Sequence, residues 1–212
     1  MSPRLRPRLA ICVSALALAA CPVLAGTGAQ AAPTHRAGAL PPIGANVVTP
    51  ILATNAELQY HGHLAPVDFR GSIKQQVEEN PRNPDRSVLL ETIGFKVAGK
   101  TFLGDDGETS EVTIEPTDVD TDPKSTLTLT RNDPPNYEER DVISSFTVVI
   151  NGPEGQDVLV SKNPMILRAD LTQYPPTGTV YSLERPVELV EADHPEKVAG
   201  TLLTFPAQRG GL

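Results

Sequence analysis

The chain has no tryptophan, and its four tyrosines and five phenylalanines leave aromatics at 4% of 212 residues. Sugar-binding faces stack rings on aromatic side chains, so this composition argues against a carbohydrate-binding module. Cysteine is nearly absent too: Cys12 and Cys21 are the only two, and both lie in the first 31 residues. Beyond them no disulfide, cysteine nucleophile or thiolate metal site can form. Small exported domains often depend on disulfides, but about 180 residues can bury enough apolar surface as one domain without them. Positive charge is also scarce, with 18 Lys+Arg against 26 Asp+Glu and a net charge of −8. Residues 1–31 hold three of those 18 (Arg4, Arg6 and Arg8) and no acid, so the remainder carries 15 against 26, or −11. Such a chain is a poor ligand for nucleic acid, whose phosphates demand Lys and Arg, and for anionic lipid. It suits cations, basic partners or solubility.

The first 31 residues are patterned for export. Arg4, Arg6 and Arg8 precede an apolar run from Leu9 to Leu24, and small residues lead to Ala29-Gln30-Ala31. A charged region, an apolar region and an A-x-A cleavage site in that order make a signal peptide over 1–31. The apolar run is shorter than the roughly 18 to 20 residues needed to span a bilayer, so no transmembrane segment is expected in the remainder. A second processing route uses Leu18-Ala19-Ala20-Cys21, which resembles a lipobox. Lipidation at Cys21 would anchor the product to the outer face of the cytoplasmic membrane rather than release it. Pro22-Val23-Leu24 continues the apolar run after Cys21, whereas lipoproteins usually begin with small polar residues.

Residues 32–56, rich in Ala, Pro, Gly and Thr, read as a flexible tether. They also offer Ile43, Val47, Val48, Ile51 and Leu52 for packing as an extended arm. From residue 57 the pattern alternates with period two, the signature of strands. It does so over 57–64, 110–115, 125–130 and 141–150, where Val142, Phe146, Val148 and Ile150 share a face. Segments 87–98, 157–162, 178–191 and 198–205 alternate less cleanly. Ser72–Gln75 fits a helix capping box, while Ile73, Gln75 and Val77 alternate as a strand. The strand reading agrees better with the neighbours. Asn80-Pro81, Asn83-Pro84, Asp122-Pro123, Asp133-Pro134, Asn163-Pro164 and Asn151-Gly152 supply turns between these segments. Pro-Val-acid motifs at Pro66 and Pro186 suit edge strands. The 21 prolines argue against long helices. The expected fold is all-β: a single antiparallel β-sandwich of about nine strands over 57–212.

Four kinds of chemistry can be weighed against the residues. His61 and His63, two apart on a strand, would face one side about 7 Å apart and could chelate a metal with a third ligand. The plainer reading is two solvated histidines. Asp118, Asp120 and Asp122 match the first three positions of a calcium loop. The match then fails, because Pro123 stands where the loop needs glycine and Leu129 where it needs glutamate. A looser calcium site could still combine these with Asp105, Asp106 and Glu108; apart from that alternative no cofactor is expected. Third, neither a Gly-x-Ser-x-Gly elbow nor a His-Glu-x-x-His motif is present. Fourth, Asp133, Pro134, Pro135, Tyr137, Glu138 and Arg140 form a Pro-stiffened segment with one aromatic, suited to partner binding.

The leader ending Ala29-Gln30-Ala31 before Ala32-Pro33 resembles those of exported actinobacterial proteins. The remainder resembles, in general character, their small extracytoplasmic β-rich proteins of unknown function. The resemblance implies export and β structure and assigns no activity to any residue. Together these readings give an expected monomer, secreted or lipid-anchored. It would act as a non-catalytic binding or structural module of the envelope or medium, with an unknown protein or envelope component as partner. Divalent-cation binding and a metal-dependent hydrolase using His61 and His63 are the alternatives.

Overall fold

A computed structural model describes residues 40–103, 108–117, 124–153 and 155–211. The proposed signal peptide, its cleavage site and Cys21 lie outside the described residues. So do Asp105, Asp106, Asp118, Asp120 and Asp122.

Among the described residues there are thirteen strands and no helix. They are β1 (Asn46–Tyr60), β2 (His63–Glu79), β3 (Ser87–Phe102), β4 (Thr109–Pro116), β5 (Ser125–Asn132), β6 (Pro135–Ile143) and β7 (Phe146–Gly152). The rest are β8 (Gly155–Ser161), β9 (Met165–Leu171), β10 (Thr179–Leu183), β11 (Val187–Glu191), β12 (His194–Thr204) and β13 (Ala207–Arg209). All belong to one antiparallel sheet, ordered β12-β11-β8-β7-β4-β3-β2-β1-β13-β10-β9-β6-β5, with β12 also pairing β1 and β3 also pairing β5.

Those two extra pairings close the sheet on itself. The outer half of β3 pairs with β4 (Val97↔Ile114 to Phe102↔Thr109), and its inner half pairs with β5 (Ser87↔Thr128 to Leu90↔Ser125). Strands β4 and β5 are therefore successive pieces of one stave. The same holds for β6 with β7, β8 with β9, β10 with β11, and β12 with β13. β1 closes the ring by pairing β12 through Glu57–Tyr60 and β13 through Ile51–Ala53. The architecture is an eight-stave, up-and-down barrel in chain order, not a two-sheet sandwich. Full closure leaves no sheet edge, so Pro66 lies within β2 opposite Glu57 rather than on an edge. Pro186 falls in the break between β10 and β11.

Stave length accounts for the breaks. The 15 residues of β1 span roughly 50 Å at 3.3 Å each, more than a coiled sheet tolerates without bending. β1 shifts register between Ala53 and Ala56, where Asn55 takes φ 55° and its N–H donates to Asp68 Oδ1 at 2.7 Å. β3 shifts opposite Lys74 and Gln75. The other five staves break outright, and only β2 runs through, with glycine at 71. A bulge flips the side-chain phase. On β1 the buried set accordingly changes from Thr49, Ile51 and Ala53 to Ala56 and Leu58, so the same face points inward at both ends.

Interior positions are mostly apolar and outward ones mostly polar. On β2, Ala65, Val67, Phe69, Ile73 and Val77 are buried, and Asp68, Arg70, Ser72 and Lys74 are exposed. No described helix is long and apolar enough to cross a membrane.

Several boundaries differ from those the sequence suggested. Residues 46–56 are strand, not tether, and Ile51 is in the core while Ile43 and Val48 are exposed. The 57–64 segment is two strands joined by a turn at 61–62. Residues 73–77 are strand, and Ser144-Ser145 divides 141–150.

Candidate functional site

The β1–β2 hairpin sets one end of the barrel. His61 (φ 46°) and Gly62 (φ 85°) both occupy the left-handed region, which makes a two-residue primed turn. The His61 N–H donates to the Ala199 carbonyl at 3.1 Å, tying this turn to β12. This turn removes the geometry expected for His61 and His63. They are not two positions of one strand: His61 is in the turn, and His63 opens β2 opposite Tyr60.

Both histidines nevertheless line a cavity of about 460 Å³ at this mouth, with Tyr60, Leu103, Glu108, Ser110, Ile150, Gln156 and Asp157. The hairpins β1–β2 and β7–β8 and the facing ends of β3 and β4 bring these residues together. Ser110 and Ile150 are buried, so the cavity reaches down to side chains of the barrel interior. The Tyr60 hydroxyl donates to Asp157 Oδ2. Burial, this hydrogen bond and the charges of Asp157 and Glu191 hold its pKa well above the ordinary phenol value. Tyr60 is thus a neutral, fixed wall of the mouth. The Tyr60 and His61 rings meet edge to face at 4.2 Å. Of the acidic candidates only Glu108 is described, and it lies at this mouth. Among the described residues, no group of three or more His, Cys, Asp or Glu side chains is arranged to hold a metal ion.

The segment 132–140 is not a long exposed loop. Strand β5 runs to Asn132 and β6 begins at Pro135, leaving Asp133-Pro134 as the tip. Tyr137 faces the barrel interior at 4% exposure, so its area is spent on the core. Glu138 points outward, 3.7 Å from Arg168, and Arg140 lies 3.7 Å from Glu184. Asp133, Pro134 and Pro135 remain as the tip's polar, stiff elements.

A second constellation, which sequence reading missed, fills the upper lumen. Arg209, Glu139 and Asp141 are all fully buried. Arg209 Nε and Nη2 donate to Thr49 Oγ1 at 3.1 and 2.9 Å, and Nη2 also donates to Gln75 Oε1 at 2.9 Å. Nη1 donates to Glu139 Oε1 at 2.7 Å and to Asp141 Oδ2. Five N–H groups are all a guanidinium has. Gln75 Nε2 donates to Asp141 Oδ1 at 2.7 Å, and the Tyr181 hydroxyl donates to Glu139 Oε2 at 2.7 Å. The guanidinium also sits 4.7 Å from the Tyr181 ring centroid. Burial raises the Glu139 pKa to about 7; Arg209 opposes that shift and Asp141 adds to it. Burial likewise pushes the hydroxyls of Tyr181 and Tyr174 up, reinforced by the Glu139 charge. The Tyr174 hydroxyl and Thr92 Oγ1 are buried without a hydrogen-bond partner.

The phase of β6 could have revealed this cluster. Tyr137, Glu139, Asp141 and Ile143 share one face, as alternation requires. The phase then flips at Ser144-Ser145, so inward residues become Phe146, Val148 and Ile150.

No protein-family model matches this sequence, and no curated protein matches it. Among solved structures it is similar to DynF from the dynemicin biosynthesis pathway of Micromonospora chersina. The two share 16% identity over 81% of this chain and 82% of that one, with a TM-score of 0.59. That likeness is one of fold.

Proposed function

We propose that this protein is an exported, non-catalytic binding module that takes a small organic ligand into the lower mouth of its barrel. The observation carrying this reading is the cavity of about 460 Å³ lined by Tyr60, His61, His63, Ser110, Ile150, Gln156 and Asp157. Ligand sites commonly measure about 300–1,000 Å³, combine apolar walls with a few polar groups, and occur at barrel mouths. Eight-stranded barrels either fill with side chains or hold one small ligand. Here buried side chains pack the interior of both halves, and the cavity lies at the lower mouth. With its hydroxyl bound to Asp157, Tyr60 serves recognition better than proton transfer. The likeness to a protein of a biosynthetic pathway supports the scaffold and does not choose the ligand. Export rests on the leader pattern alone, with release after Ala31 favoured over an anchor at Cys21.

The test uses the absence of tryptophan from the chain. Gln156→Trp places a single indole on the exposed rim of the cavity. A small-molecule library should raise the melting temperature of the parent protein for a subset of compounds. Those compounds should lose their effect in Gln156→Trp, whose own melt stays within about 2 °C because an exposed position changes by under roughly 0.5 kcal/mol. Compounds that stabilise both proteins equally would place binding elsewhere.

A further inference from the structure

The upper lumen poses a charge problem. Two carboxylates, Glu139 and Asp141, share one guanidinium nitrogen inside a closed wall. With both ionised, the cluster carries net charge −1 in a place where an uncompensated charge is expensive. Every other residue bonded to it is uncharged: Thr49 from β1, Gln75 from β2 and Tyr181 from β10. Tyr174, from the β9–β10 connection, feels all three charges and is a neutral phenol. Among the described residues Arg209 is the only buried cation. Arg209 has no N–H left with which to compensate further.

The position of Arg209 gives this imbalance a mechanical consequence. It belongs to β13, three residues long, which alone closes the upper barrel between β1 and β10. The same side chain reaches across the lumen to β1, β2 and β6. We propose that the Glu139–Asp141 pair holds one proton in the folded protein and that losing this proton loosens β13, so the upper barrel seam is a proton-operated latch.

The direction follows from linkage. Glu139 binds its proton more tightly when folded, so its stabilising effect is complete below the ordinary carboxylate range. It fades as pH rises through about 7. Opening the seam hydrates the cluster and relieves its charge, so opening becomes more frequent at alkaline pH.

Amide hydrogen exchange of the intact chain tests this. After correction for intrinsic rates, the Ala207–Arg209 amides should open roughly 30-fold more often at pH 8.5 than at pH 5.5, because a midpoint of about 7 leaves about 1.5 pH units of linkage above pH 5.5. Glu139→Gln, a neutral side chain that keeps the oxygen facing Arg209, should abolish that dependence. Any contribution from groups outside this cluster would persist in Glu139→Gln. Equal pH dependence in both proteins, or none in the parent, overturns the proposal. If Glu139→Gln does not fold, carbon-13 titration of the parent decides. A Glu139 carboxyl midpoint near neutrality supports the latch, and one below pH 5 overturns it.

Discussion

Replacing Arg209 with methionine keeps most of the side-chain volume and removes the guanidinium. Thr49, Gln75, Glu139 and Asp141 then lose their shared donor inside the barrel. Breaking one side of a buried ion pair typically costs about 3–5 kcal/mol. A separate route gives a similar figure. Without the guanidinium both carboxylates must be protonated to stay buried, and with one proton already present the second is the new demand. Protonating a carboxyl of ordinary pKa about 4.3 at pH 7 costs nearly 3 pH units at roughly 1.4 kcal/mol each, or about 4 kcal/mol. The loss should therefore be about 4 kcal/mol at pH 7 and only about 1–2 kcal/mol at pH 5. In a domain of this size 4 kcal/mol corresponds to a melting-point drop of roughly 8–16 °C at pH 7. Urea unfolding followed by circular dichroism at both pH values measures both numbers. Adding Glu139→Gln and Asp141→Asn to Arg209→Met should flatten the pH dependence, because no carboxylate then remains. A loss below about 1 kcal/mol, or one of equal size at pH 5 and pH 7, would refute this account of the cluster.

Three other substitutions probe the frame. Gly71→Ala puts a Cβ 1.9 Å from the Lys96 carbonyl oxygen and 2.7 Å from Val97 Cα, both backbone. β2 and β3 must separate there, so we expect a loss above about 2 kcal/mol in urea unfolding, against roughly 0.5–1 kcal/mol gained where alanine fits a strand. His61→Asn should leave stability unchanged or raise it by a few tenths of a kcal/mol, because asparagine is favoured before glycine in this turn. A loss above about 1 kcal/mol would show that the imidazole, not the turn, matters. Asn55→Val should cost about 1–2 kcal/mol at its left-handed backbone position, while Asn55→Gly should be nearly neutral.

Period-two alternation made strands in both halves of the barrel legible in the sequence. Val112 and Ile114 on β4, and Leu127 and Leu129 on β5, are buried as their spacing requires. Closure was not legible, because it depends on Glu57 meeting Thr204 and Ile51 meeting Arg209 across about 150 residues. No local pattern carries that pairing, and open sandwich strands alternate in the same way. Strand β9 was missed because Met165, Ile166 and Leu167 are buried in succession and hide the alternation. The mouth was half visible: His61 and His63 attracted notice, but His61-Gly62 was read as strand although its glycine marked a turn. The charged cluster was obscured by extending the Val142–Ile150 face through Ser144-Ser145. That extension put Glu139 and Asp141 outside, where acids are common.

The cluster also bears on register. A strand of three residues, Ala207–Arg209, presents only two inward side chains, and a slip by one residue would swap its inner and outer faces. Apolar contacts alone distinguish such a slip poorly, since Ala207 fills little volume. Arg209 distinguishes it sharply, because a slipped strand would leave the guanidinium outside and two carboxylates unpaired within. Replacing a buried ion pair with well-packed hydrophobic groups is often neutral or even stabilising. The cluster is therefore better understood as fixing where the last stave locks than as a net source of stability. A latch needs that property: one strong, geometrically unique contact whose strength a single proton can change.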